Sequence, residues 1–206
     1  MSICDCYKTI AEIDPKVLPF YRQLPEQHVL KTFLEEHAQI LGFLQELEDL
    51  ARRIESMSGL EGETHFIQRV EFLSRHLLET ERHHIREEIS VLTRLAEAHE
   101  TSMTTRIRKE HDVLGVKKRQ FSNLILNIYT TSFNEFKTKF IRSATDVIEP
   151  LNDHIHYEDS VLYPLALDTL TRDDWINALS ECDRIGYCCF TPGERHHLRE
   201  INTLAH

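Results

Sequence analysis

The chain has 206 residues, 41% of them hydrophobic, which is enough for one sizeable core and too little for two. A formal net charge of −10, with Lys and Arg scattered along the chain, repels phosphate backbones and argues against a nucleic-acid partner. No apolar run approaches the roughly 18 to 20 residues that span a bilayer, and MSICDCYKTIAEID lacks the charged-then-apolar pattern of a secretory signal, so no membrane partner is expected. Five cysteines, odd in number and confined to the two ends, suit a reducing compartment, and a cytoplasmic location is expected.

In chain order, residues 1–25 read as an N-terminal extension, a short helix and an apolar turn packed on the main domain. Glycine and proline are scarce thereafter, and Leu, Glu, Arg and Lys abound, which favours helices. The first long helix carries Leu30, Phe33, His37, Ile40, Leu44, Leu47, Ala51 and Ile54 at intervals of three and four, one stripe facing a partner. A second stripe is Leu77, His84, Glu88, Val91 and Leu95. A third is Ile107, His111, Leu114, Phe121, Ile125 and Ile128, and the fourth is Val147, Leu151, His154, Glu158, Val161 and Leu165. Breaks are expected at 56–64, 98–104 and 142–146, with Thr64, Thr101 and Thr145 or Asp146 as N-caps and Pro150 in the first turn of the fourth helix or at a kink. Short connections between long amphipathic helices imply an all-α, up-down antiparallel four-helix bundle over residues 26–167. Residues 168–206 read as a capped helix from Asp173 or Asp174, anchored by Trp175, and a loop around Gly186, Pro192 and Gly193.

The polar residues on the apolar stripes carry the functional signal. HIREEISVLTRL (84–95) and HIHYEDSVLYPL (154–165) share His, Ile, Glu, Ser, Val and Leu at identical offsets, and EEHAQILG (35–42) resembles KEHDVLG (109–115). Residues four apart on a helix lie about 40° from each other, so both members of H-x-x-x-E enter the same interior volume. Burying unpaired carboxylates face to face is costly, and a bound cation removes the penalty. His37, His84, His111 and His154 then supply one imidazole per helix, with Glu88 and Glu158 bridging. Such a set suits a pair of first-row ions, iron or manganese, with open positions for solvent or a diatomic ligand. His76, His83, His156 and Asp159 are assigned to solvent or a helix flank, Glu81 to a flank ion pair or, as the alternative, to holding an imidazole N–H, and Lys118 to a side chain reaching outward at a bundle end or, as the alternative, to the metal site.

The H-x-x-x-E units with a VLYP tail, and the single Glu-His histidines on the helices between them, resemble the hemerythrin-like, or HHE cation-binding, family over about residues 26–167. The resemblance implies a four-helix bundle around two non-haem iron ions that binds or reacts with oxygen, nitric oxide or peroxide. It carries over the ligands His37, His84, Glu88, His111, His154 and Glu158. The oxygen-carrier members use H-x-x-x-H on the third helix and H-x-x-x-x-D on the fourth, whereas here Gly115 follows His111 by four and the last unit is H-x-x-x-E. The four-His, two-Glu set is nearer the iron–sulfur-cluster-repair branch, although residues 1–25 are too short for the cysteine-pair domain usual there. Three readings follow: a protein that binds or senses oxygen, nitric oxide or peroxide with an unspecified redox partner; an enzyme that reduces peroxide or nitric oxide or donates iron for cluster repair; and a metal-independent helical interaction module.

Overall fold

The computed structural model describes residues 12–191. The expectations for Cys4, Cys6 and the loop from Pro192 onward lie outside the described residues.

Every element among the described residues is helical. A short α1 (Leu18–Gln23) precedes α2 (Val29–Glu55). The second bundle helix is α3 (Thr64–Glu87), which passes through one π-helical turn (Glu88–Leu92) into α4 (Thr93–Glu97). The third is α5 (Thr101–Leu126). The fourth, α6 (Phe133–Tyr157), likewise passes through a π turn (Glu158–Leu162) into α7 (Tyr163–Thr169), and α8 (Arg172–Ile185) follows. Each bundle helix packs on its chain neighbour, and α6 returns to α2 to close the ring. Paired contacts show the antiparallel sense: Arg69 with Glu46 and His83 with Glu36 across α2/α3, Lys118 with Glu81 and His111 with Glu87 across α3/α5, and His154 with Glu110 and Lys117 with Asp146 across α5/α6.

Thr64 and Thr101 begin their helices one residue inside the N-caps Glu63 and Glu100. The expected break at 142–146 does not form. The fourth helix starts at Phe133, capped by the Ser132 hydroxyl, and Pro150 lies in its interior. The reason is packing: Phe136, Phe140, Ala144, Val147 and Leu151 form one uninterrupted buried seam, which outweighs the donor lost at Pro150. At α8 the Thr171 hydroxyl and the Asp174 carboxylate make a reciprocal capping box, and Trp175 lies 4.6 Å from the His28 ring at the start of α2.

The apolar interior is split in two. One cluster gathers Ile40, Leu44, Leu47, Leu73, Leu77, Leu114, Phe121, Phe140, Val147 and Leu151. The other gathers Leu30, Phe33, Val91, Leu95, Ile107, Leu162, Tyr163 and Ala166 with Val17 and Leu24 of the N-terminal segment and Ala178 and Cys182 of α8. A layer of imidazoles and carboxylates separates them. Val161, expected in the core, is 39% exposed, whereas Val91 at the same place in the other π turn is buried, because α8 packs over that turn and not over Glu158–Leu162. Among the described residues no helix is long and apolar enough to cross a membrane.

Phe140 packs its ring against Phe66, Phe121 and Phe136, on the far side of the apolar cluster from α8. Phe140→Ala is expected to destabilise the fold by about 3–5 kcal/mol in urea denaturation while leaving metal content unchanged.

Candidate metal centre

The polar layer contains two groups of side chains whose ligand atoms lie within 4.8 Å of one another: His37, His83, Glu87 and Glu158, and His84, His111 and His154. Glu87 and Glu158 link them. Glu158 Oε2 is 3.4 Å from His37 Nε2, while its Oε1 is 3.1 Å from His154 Nε2 and 3.5 Å from His111 Nε2. Glu87 Oε2 is 3.4 Å from His83 Nε2 and 3.6 Å from His111 Nε2, and its Oε1 accepts from the Tyr163 hydroxyl. His84 stacks on His111 with centroids 4.1 Å apart.

The outer nitrogens of four imidazoles are each held by a carboxylate. His37 Nδ1 donates to Asp159 at 2.6 Å and His83 Nδ1 to Glu36 at 2.7 Å. His111 Nδ1 donates to Glu88 at 2.8 Å and His154 Nδ1 to Glu110 at 3.0 Å. A ring that donates through Nδ1 in its neutral form presents its Nε2 lone pair inward, the arrangement of metal-bound imidazoles. His37 Nε2 and His83 Nε2 then face each other at 2.9 Å, a contact that needs a cation or a proton between the two lone pairs.

Glu87 Oε2, both oxygens of Glu158, His111 Nε2 and His154 Nε2 are fully buried and have no hydrogen-bond partner among the described residues. Orphaned acceptors at this density are costly unless something is bound between them, so the donor set fits a cation. Burial and Glu158 push the Glu87 carboxyl up, but His83 and His111 outweigh them and its pKa is lowered. Burial likewise opposes ionisation of Glu158, yet His154, His111 and His37 hold its pKa well below the usual carboxylate range. Burial disfavours the charged form of His154, but Glu158 and Glu110 push its pKa up to about 9. His84 differs: burial, then the Lys118 ammonium, holds its pKa well below the ordinary histidine value, so it stays neutral and available as a ligand.

Of the six expected ligands, His37, His84, His111, His154 and Glu158 lie in this layer and Glu88 does not. Glu88 Oε2 pairs with Arg108 at 3.0 Å while its Oε1 holds His111, and the interior position belongs to Glu87. His83, assigned to solvent or a flank, is 1% exposed and faces His37. The cause is a doubled motif. In HHIREE both His83/Glu87 and His84/Glu88 satisfy H-x-x-x-E, and matching the apolar SVL tails selects the second, whereas packing brings His83, His84 and Glu87 into the layer and leaves Glu88 at its edge with Arg108. Asp159 and His76, also assigned outward, are 6% and 4% exposed. Lys118, expected to reach outward, is 1% exposed; its Nζ donates to Thr80 Oγ1 at 2.5 Å and pairs with Glu81. A Cβ at Gly115 would lie 2.6 Å from Glu81 Oε2, the movable end of a side chain, so Glu81 occupies the space beside this position, and the imidazole stacked on His111 is His84 from α3. The doublets HH, EE and ED were the available signal for His83, Glu87 and Asp159; Glu36 and Glu110 were visible only as acids next to a histidine.

Glu87→Gln is expected to lower bound iron per chain by at least half in metal analysis, with Glu88→Gln retaining most of it. Glu36 gives a pH dependence. Burial would raise its pKa, but Arg86 and His83 lower it from 4.5 to about 2, so its contribution to stability is complete above about pH 4.5 and disappears as pH falls toward 2. In the metal-free protein, the urea midpoint is expected to fall over that window. Glu36→Gln removes part of that fall and costs about 3–5 kcal/mol at neutral pH, because Arg86 is left buried without its counter-charge.

A comparison with curated proteins returns no match. The model of the hemerythrin HHE cation binding domain matches residues 28–166, which include all four bundle helices and every residue of the polar layer. The chain therefore belongs to the hemerythrin HHE cation-binding family.

Proposed function

We propose that the chain holds two non-haem iron ions and uses them to bind or sense oxygen, nitric oxide or peroxide in the cytoplasm. The observation that carries this reading is the placement of Glu87 and Glu158, each within reach of imidazoles from both groups and each with an orphaned inward oxygen. His37 and His83 would serve one ion and His84, His111 and His154 the other, with the two carboxylates shared; manganese would suit the same donors. Iron so held supplies a redox-active Lewis acid with room for a small exogenous ligand. The protein supplies the rest: Asp159, Glu36, Glu88 and Glu110 orient the imidazoles, and the two apolar clusters exclude bulk water from both ends.

A second reading, reduction of peroxide or nitric oxide, is favoured by Tyr163. Its hydroxyl donates to Glu87 and lies 3.3 Å from His37 Nε2, and burial, then Glu87, keeps its pKa well above the ordinary value. It is therefore a protonated donor within the layer. A layer that merely fixed helix register, the metal-independent reading, would satisfy its acids internally, and the orphaned oxygens argue against that.

Protein loaded anaerobically with ferrous iron and then exposed to air is expected to retain two irons per chain and to gain a near-ultraviolet charge-transfer band. Failure to retain metal would remove both iron readings. Turnover of peroxide or nitric oxide that falls at least tenfold in Tyr163→Phe, with iron content unchanged, would select the enzymatic one.

A further inference from the structure

The residues matched by the family model end at 166, yet the chain beyond them reaches the polar layer. Gly186, at φ 86°, ends α8 in a conformation that suits glycine, and the following turn lies against α2 and α3. Tyr187, Cys188, Phe190 and Thr191 are all buried. The Tyr187 ring lies 4.8 Å from the Arg86 guanidinium, which is also 5.3 Å from the Phe33 ring and within 3.5 Å of Cys188 Sγ. Cys188 Sγ donates to the Glu79 carbonyl at 3.3 Å, and Phe190 meets Phe43 edge to face at 5.4 Å. Thr191 Oγ1 donates to Glu36 Oε1.

Glu36 is the carboxylate behind His83, and its orientation has to be chosen. The terminal torsion of a glutamate is broad, so the plane of the carboxylate turns easily unless partners off its axis hold it. Arg86 Nη2 lies 2.7 Å from Oε1 and 2.6 Å from Oε2, close to the axis of that rotation, and so does little to fix the plane. Thr191 bonds Oε1 alone, which leaves Oε2 for His83 Nδ1.

We propose that Thr191 is a positioning residue of the metal centre: its hydroxyl fixes the Glu36 carboxylate, Glu36 fixes the His83 ring, and the turn from Tyr187 to Thr191 is a working part of the site. The proposal rests on the reading of His83 as a ligand under the function proposed above. Carboxylates that hold a ligating imidazole typically change metal affinity 10- to 100-fold when lost. A residue acting through such a carboxylate belongs at the lower end of that range.

Two measurements on the full chain test it. In metal-free protein carrying 15N-labelled histidine, the His83 Nδ1 proton is expected as a low-field resonance in the unmodified chain and in Thr191→Ser, and to broaden or move upfield in Thr191→Val and Thr191→Ala. In iron-loaded protein, transfer of iron to an excess of chelator is expected to be about tenfold faster in the Val and Ala variants and within twofold of the unmodified rate in Thr191→Ser. Two variants lacking the hydroxyl, one near-isosteric and one smaller, guard against a folding defect in either, and circular dichroism checks both. Val and Ala variants indistinguishable from the unmodified chain would overturn the proposal, as would a Ser variant as impaired as they are, since the methyl group would then be the operative part. If the unmodified chain retains no iron, the proposed function fails, and the His83 resonance still decides the role of Thr191.

Discussion

Two carboxylates, Glu87 and Glu158, are buried in one layer between two hydrophobic clusters, and the rest of the molecule is arranged around that constraint. Each acid raises the cost of ionising the other, and burial adds to it. The imidazoles on the four bundle helices offset the cost from all sides, which ties the relative positions of α2, α3, α5 and α6 to the chemistry of the layer. A bundle with a continuous apolar core would tolerate small shifts between its helices. Here a shift of one residue would turn Glu87 out of the layer and break its contacts with His83, His111 and Tyr163.

The supports around the layer are unequal. Behind His37 and His83 stand Asp159 and Glu36, whose side chains are 5% and 0% exposed, and Glu36 is tied in turn to the enclosed Arg86 and to Thr191. Behind His111 and His154 stand Glu88 and Glu110, 29% and 30% exposed and paired with Arg108 and Arg106 on the surface. The first half is therefore sealed by low-dielectric surroundings that strengthen every interaction within it, whereas the second lies one side chain from solvent. A cavity of about 640 Å³ between α5 and α6, lined in part by Glu110, Pro150 and His154, opens on this second side. His154 is the imidazole of the layer that borders this cavity, and the segments outside the bundle, α8 and the turn after it, lie against the other half.

Much of this was legible in the chain. The three-and-four spacing of Leu, Ile, Phe and Val located all four bundle helices, because burial against neighbours imposes that period whatever the partner. The recurrence of a histidine on each stripe pointed to a shared polar layer, since a single such residue has ordinary explanations and four have few. The misplacements have physical causes. The weak point around residues 142–146 was outweighed by the seam from Phe136 to Leu151, Val161 lacks the cover that α8 gives Val91, and Asp159 is held inside by the His37 imidazole from α2. Lys118 was read as an outward-reaching cation because nothing in its own helix shows that Thr80 and Glu81 wait on α3.

By itself the sequence determined the helical class, the bundle, the inward histidines and one of the two central acids, all properties of single helices with a period of about 3.6 residues. Only the tertiary structure decided which of the pairs His83/Glu87 and His84/Glu88 supplies the second central acid, and it brought both histidines into the layer. Adjacent residues stand about 100° apart on a helix, and both pairs obey the same spacing, so the choice depends on how α3 is rotated against α2, α5 and α6. It also decided which acid supports which imidazole: Asp159 reaches His37 across 122 positions, and Thr191 reaches Glu36 across 155. Pairings of that kind are set by packing between elements, and no local pattern in the chain encodes them.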